Sequence, residues 1–314
     1  MTKVFHAPEI EAAVDPGALI DAVAEALQAY SAGEVTVPPV GLLHFDDPPG
    51  DVHIKYGHIH GGRTYVVKIA SGFYQNPERG LPTSDGIMLV YDRETGALDA
   101  ILMDRGYLTE LRTGAAGAVA ARLLAPARVE RIGIVGAGVQ GRFQLRLLRY
   151  VVPCEDVIVW SRSEERLAEY RRDMTAEGFA IATTSSLDDL CDSANLIVTA
   201  TPSTEALLTG SMIRPGTHIT ALGSDNLGKQ ELAPDILLEA AVVATDSRSQ
   251  AFHHGECAHA IAAGLDPDSV VELGEIVAGT TPGRTGADEV TVADLTGVAV
   301  EDIAAAELTL AALS

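Results

Sequence analysis

The run Gly136-Ala137-Gly138-Val139-Gln140-Gly141 has the G-x-G-x-x-G spacing. That spacing serves pyrophosphate binding. The first glycine permits a tight turn, the second lets the backbone approach the ligand, and the third lets a helix pack close to its strand. The helix N-terminus then meets the negative charge. The context fits, because the apolar run Ile132–Val135 precedes the glycines and a helix-forming run, RFQLRLLRYV, follows them. The next apolar run, DVIVW, ends in Ser161-Arg162-Ser163. NAD-selective sites carry an acid about 20 residues past the glycines, where it binds the ribose hydroxyls. Here Arg162 stands 21 residues beyond Gly141. A guanidinium there can stack on adenine and pair with a 2′-phosphate, with Ser161 and Ser163 adding hydrogen bonds. The expectation is NADP(H), with NAD(H) as the alternative if Glu164 or Glu165 faces the ribose instead. The tails Ala200-Thr201-Pro202-Ser203 and Gly223-Ser224-Asp225 follow later apolar runs. Open parallel sheets bind ligands at strand carboxyl ends, so Thr201, Pro202, Gly223 and Ser224 are expected to line the same crevice, with Asp225 near the nicotinamide.

A second constellation is cationic. DVHIKYGHIH and RTYVVKIA alternate apolar and polar residues on either side of Gly61-Gly62, which reads as a hairpin. A two-residue turn there places Lys55 opposite Lys68 on one face, flanked by Val66 and Ala70. Val52, Ile54, Tyr56, Val67 and Ile69 then occupy the other face. Facing like charges repel, so the pair implies a bound anion or two solvated ammoniums. Arg112, in LRTG, reads as the start of an Ala-rich helix, where a cation opposes the helix dipole unless it has another task; its fork suits a carboxylate. His53 shares the Lys55 face. His253, His254, Glu256 and His259 cluster within seven residues, but HExxH is absent and no metal is expected.

The elements that must position these groups fall into two patterns. Residues 16–32 space apolar side chains as a helix, with Asp15 as cap and Pro16 in the first turn. The proline-containing VPPVGLLHFDDPPG reads as an extended linker or edge, followed by the hairpin and the strands GIMLVYD and ALDAILMD. From about residue 110 strands and helices alternate, which implies a parallel doubly wound sheet. The expected fold is therefore α/β. A Rossmann dinucleotide domain spans residues 116–298, and an α+β substrate and dimerisation domain spans residues 1–115, joined by a returning helix over 299–314. At 314 residues the chain is long enough for two such domains. Its formal net charge of −22 opposes nucleic acids and anionic membranes as general partners. Three scattered cysteines, an N-terminus without an apolar leader pattern and no long apolar stretch point to a soluble cytoplasmic protein.

VKIASGFYQNPERGLP, YLTELRTGAAGAVAA, IGIVGAGVQG, ALGSDNLGKQEL and TPGRTGADEV…DLTG together resemble the ornithine cyclodeaminase/mu-crystallin family over nearly the whole chain. The resemblance implies an NAD(P)-linked interconversion of an amino acid with its imine, in a homodimer. It makes Lys68 the catalytic-site lysine, Arg112 the substrate-carboxylate arginine and Asp225 the acid that handles the amine or activates water. Thr113 beside Arg112 joins the cofactor-contacting residues. Counting back from Lys68, Lys55 falls where ornithine cyclodeaminase carries an acid. A lysine there repels a diamino acid and attracts a second carboxylate or a carbonyl. The favoured expectation is a 2-imino acid reductase. An NAD+-using cyclodeaminase and a non-catalytic NADPH-binding protein are the alternatives.

Overall fold

The computed structural model describes residues 2–73 and 75–313. By its internal contacts the chain divides into two compact units, Met1–Arg112 with Val298–Ser314, and Thr113–Gly297.

The first unit runs through β1 (Lys3–His6), α1 (Ala7–Ala13), α2 (Pro16–Ser31), β2 (Val35–Thr36), β3 (Gly41–Asp46), β4 (Pro49–Ile59), β5 (Thr64–Phe73), β6 (Ser84–Asp92) and β7 (Leu98–Met103), and into α3 (Tyr107–Leu124). Asp15 caps α2 as its sequence implies, accepting from the Ala18 backbone N–H at 2.8 Å, with Pro16 in the first turn. The sheet order is β1-β7-β6-β5-β4-β2, with β3 also paired to β4. The segment expected to be a linker or edge thus supplies the edge strand β3, antiparallel to β4. One sheet face carries Val66, Met88, Val90, Ala100 and Leu102, all fully buried. It is covered by α2 and the C-terminal helix Ala299–Leu313. Each of the larger side chains contributes on the order of 1.5–3 kcal/mol when removed from water. The opposite face presents Val52, Ile54, Val67, Ile69 and Leu89 half-buried, and Tyr56 exposed.

The β4–β5 hairpin pairs Lys55 with Lys68, the register expected from alternation. Its turn is wider than two residues. The β4–β5 ladder ends at Gly57↔Val66, and on the other edge of β4 His58 and Ile59 pair with β2. Gly61 adopts φ +80°, and the Gly62 N–H reaches the Ile59 carbonyl at 3.1 Å.

In the second unit β8 to β17 are, along the chain, Ile132–Val135, Asp156–Trp160, Ala180–Thr184, Leu196–Thr199, Thr204–Leu208, His218–Ala221, Gln230–Leu232, Val242–Thr245, Val271–Glu272 and Thr291–Asp294. Helices α4 (Val139–Leu148) and α5 (Glu164–Ala176) follow β8 and β9. Eight of these strands form a wholly parallel sheet, ordered β10-β9-β8-β11-β13-β17-β15-β16. The chain walks outward from β8 to β10, then restarts at β11 on the other side of β8. That reversal is the switch point at which doubly wound sheets bind ligands. No helix among the described residues is long and apolar enough to cross a membrane.

A candidate dinucleotide crevice and a buried lysine cluster

The glycines after β8 do what their spacing requires. Gly136 takes φ +117°, and a Cβ on it would lie 2.5 Å from the Ala200 carbonyl oxygen at the tail of β11. A Cβ on Gly141 would collide with the Gly136 carbonyl. A Cβ on Gly138 would meet nothing within 4 Å, so the backbone there borders open space at the N-cap of α4. Arg142 braces this loop. Its guanidinium donates to the carbonyls of Ala137 (2.7 Å) and Gly138 (3.1 Å), pairs with Asp173 at 3.2 Å and lies over the Tyr170 ring. The Tyr170 hydroxyl donates to the Gly141 carbonyl at 2.9 Å.

A cavity of about 250 Å³ brings together Gly136, Ala137, Gly138, Ser161, Arg162, Ser163, Thr201 and Pro202 from the sequence-expected set, with Arg166 added. Neither Glu164 nor Glu165 lines it. Arg166 lies in the first turn of α5, whose N-cap, Ser163, directly follows Arg162. Val139 and Gln140 form the first turn of α4. Thr113 offers its carbonyl to the Gln144 amide at 2.8 Å. An open glycine cradle at a switch point, with guanidiniums at the tail of the second strand, fits a dinucleotide.

The tails of β11 and β13 are tied by Glu231, which sequence reasoning missed. Its buried carboxylate accepts from the Thr199 hydroxyl (2.6 Å), the Thr201 N–H (2.6 Å) and hydroxyl (2.7 Å), and the Gly223 N–H (2.8 Å). Burial still pushes its pKa above the usual carboxylate range. Ser224 donates to the Lys229 carbonyl at 2.7 Å. Asp225 is exposed and pairs with Lys229 at 2.6 Å, so its immediate neighbour is a protein ammonium. Glu256 receives the backbone N–H groups of Glu231 (2.7 Å) and Leu232 (3.0 Å), and His259 contacts the Lys229 carbonyl at 2.9 Å. Both side chains of the histidine-rich segment therefore brace the 229–232 backbone. Burial, then Asp294, pushes Glu256 up to about 9.

The first unit carries the other cluster. Lys68 is 2% exposed. Its Nζ donates to Asp302 Oδ1 at 2.7 Å. Arg112, also buried, forms an ion pair with the same Oδ1 through Nε at 2.9 Å and donates from Nη1 to Glu301 Oε2 at 2.6 Å. Two expectations change here. Arg112 lies in the second turn of α3, which begins at Tyr107, so it does not start a helix and the opposition to the helix dipole is slight. The lysine pair also has a carboxylate of the chain itself beside it, because Asp302 from the C-terminal helix sits against Lys68. Burial lowers the Lys68 pKa to about 7, with Asp302 opposing and Arg112 and Lys55 assisting. Asp104 is buried nearby and accepts the Leu108 N–H at 2.8 Å. The signal for Glu301 and Asp302 was present: two adjacent acids stand in a largely apolar helix.

A parallel sheet with its glycine turn at the switch point, joined to an α+β unit holding a buried lysine, defines a Rossmann-type α/β protein of two units. Residues 1–312 match the ornithine cyclodeaminase/mu-crystallin family, and the chain belongs to it. The iminosuccinate reductase of Paracoccus denitrificans is 40% identical over 240 residues, covering 76% of this chain and 74% of that protein. Its crystal structure in complex with NAD+ superposes with a TM-score of 0.89 at 32% identity, covering 99% of this chain and 96% of that one. An archaeal alanine dehydrogenase dimer with bound NAD gives 0.91 at 31% identity, covering 99% and 95%. The Thermococcus litoralis Δ1-pyrroline-2-carboxylate reductase, in complex with NADH and L-proline, gives 0.93 at 26% identity, covering 99% and 97%.

Proposed function

We propose that this chain is an NAD(P)H-dependent reductase of 2-imino acids, preferring NADP(H) and acting as a cytoplasmic homodimer. The observation that carries the reading is the buried Lys68, whose amine titrates near neutrality beside Arg112. The crevice of the second unit would hold the dinucleotide through Gly136, Gly138, Gly141, Thr201 and Gly223, with Arg162 on the 2′-phosphate. When bound, the nicotinamide supplies hydride to the C2 carbon of the imine. The chain does the rest. Arg112, steadied by Glu301 and Asp302, takes the α-carboxylate; such orientation supplies much of a rate enhancement. Lys68 gives the proton that the nitrogen gains as C2 is reduced. Asp225, exposed and paired with Lys229, would stabilise the cationic nitrogen. Lys55, opposite Lys68, favours a substrate with a second carboxylate or a carbonyl. The relatives named above, reductases and a dehydrogenase of imino and amino acids, support this class of reaction.

The test is dinucleotide oxidation with oxaloacetate or pyruvate plus ammonia or methylamine, and with cyclic ketimines. Consumption of NADPH with formation of the amino acid is expected, fastest for dicarboxylic substrates. Lys68→Ala should lower kcat by about 10²–10⁴-fold, the range of a general acid, without weakening dinucleotide binding. Proline made from ornithine without net nicotinamide change would instead establish the cyclodeaminase. Tight NADPH binding without turnover across the panel would establish a binding protein.

A further inference from the structure

Asp302 is used unevenly. Its Oδ1 accepts a hydrogen bond from Lys68 Nζ at 2.7 Å and lies 2.9 Å from Arg112 Nε in an ion pair, whereas its Oδ2 is buried without a hydrogen-bond partner among the described residues. Leaving a buried acceptor unpaired is unfavourable, more so when it is charged. A carboxylate kept under that penalty, shared between the amine and the guanidinium of the proposed site, has a task beyond packing. The C-terminal helix contributes Glu301 next to it, and Glu301 takes Arg112 Nη1 at 2.6 Å. The two acids therefore grip the guanidinium on adjacent edges, and one of them also grips the lysine.

The charges around this carboxylate are few and identifiable. From β5 comes Lys68, from β4 Lys55 and from α3 Arg112, and all three act on it. Asp104, also buried, feels Lys68 as well. Among the elements packed on the C-terminal helix, Ile10 of α1, Leu19 and Val23 of α2, and Met88 of β6 are buried. No other described acid is charged against Lys68 by a direct hydrogen bond. Asp302 therefore opposes, nearly single-handed, the burial and the two cations that favour a neutral amine.

We propose that Asp302 is a positioning residue of the reduction: through one oxygen it seats Lys68 and Arg112 in fixed relation, and its charge keeps the Lys68 amine in the ammonium form that can give up a proton. This rests on the reductase reading only for the meaning of that proton. The ammonium is a donor, so kcat/KM should fall as pH rises through the Lys68 titration, which lies at about 7. Removing the negative charge destabilises the ammonium and must move that fall to lower pH.

The test pairs a direct titration with kinetics. Lysine Cε is labelled with 13C, and the Lys68 resonance is assigned by its loss in Lys68→Arg. In Asp302→Asn the Lys68 titration should move at least one unit acidward, and the alkaline limb of kcat/KM should follow by the same amount. The Kd for NADPH should stay within twofold. Asp302→Glu, which keeps the charge but misplaces it, should hold the titration near its original position while lowering kcat at least tenfold. That variant decides the matter if Asp302→Asn does not fold. A Lys68 titration unmoved in Asp302→Asn, or Asp302→Glu with undiminished kcat, overturns the proposal. Should the reductase reading itself fail, the resonance still reports whether Asp302 governs the lysine, so the two failures are separable.

Discussion

Arg162 and Arg166 make no ion pair among the described residues, yet both line the cavity that opens beside the glycine turn. Elsewhere on the same unit several guanidiniums are engaged: Arg131 with Asp156, Arg142 with Asp173, Arg146 with Glu177 and Arg248 with Glu275. Two unpaired arginines beside Ser161 and Ser163 form a site suited to a phosphate monoester. A charge-assisted hydrogen bond contributes about 1.5–3 kcal/mol, and each 1.4 kcal/mol is tenfold in affinity. Arg162→Ser should therefore raise the KM for NADPH about tenfold to a hundredfold and leave that for NADH within about twofold. Steady-state kinetics with both dinucleotides decides this, and equal losses for the two would remove Arg162 from the 2′-phosphate. Individual residues were legible in the sequence to the extent that their partners were near in the chain. The glycine turn and the Lys55–Lys68 pair are local patterns. Lys68 and Asp302 are separated by 234 positions, and no periodicity joins a strand to a helix that distant.

At the scale of elements, the same distinction explains β17. Thr291–Asp294 is four residues long, yet it lies between β13 and β15 in the middle of the parallel sheet. The sequence pattern did not single it out, because a short run containing Thr and Asp has neither alternation nor length. Its polar residues are satisfied by tertiary partners: Thr291 meets His218 Nδ1 at 2.9 Å, and Asp294 accepts the Cys257 N–H at 2.8 Å. His218, on β13, is fully buried between Thr291 and Thr220. Burial, then Arg284, lowers its pKa to about 3. Its folded value lies below its unfolded one, near 6.5. The unfolded chain therefore binds this proton first, and the associated stability is complete above about pH 6.5 and drains away as pH falls towards 3. At about 1.36 kcal/mol per pH unit, roughly 2 kcal/mol is lost between pH 6.5 and pH 5. In His218→Gln this loss disappears. The stability gap between wild type and variant, taken from urea unfolding, should therefore narrow by about that amount from pH 7 to pH 5. A gap independent of pH would mean that the imidazole is not held neutral.

At the scale of the whole molecule, the formal charge of −22 and the uncovered apolar face of the first unit pull in opposite directions. Val52, Ile54, Val67, Ile69 and Leu89 lie half-buried on that face, and Tyr56 is 40% exposed, as is Phe45 of β3. A contiguous apolar surface on an otherwise strongly acidic protein marks an association site, and a second copy brings the complementary patch through a two-fold axis. Two copies, however, also bring their negative charges together. Association should therefore strengthen with salt, since raising it from about 0.1 M to about 1 M shortens the screening length from about 10 Å to about 3 Å. Light scattering on a size-exclusion column should show a dimer whose dissociation constant falls as salt rises. Ile54→Asp with Tyr56→Asp should give a monomer that still binds the dinucleotide, because the glycine crevice lies wholly within the other compact unit. A dimer that survives both aspartates, or one that loosens as salt is added, would place the contact on another surface.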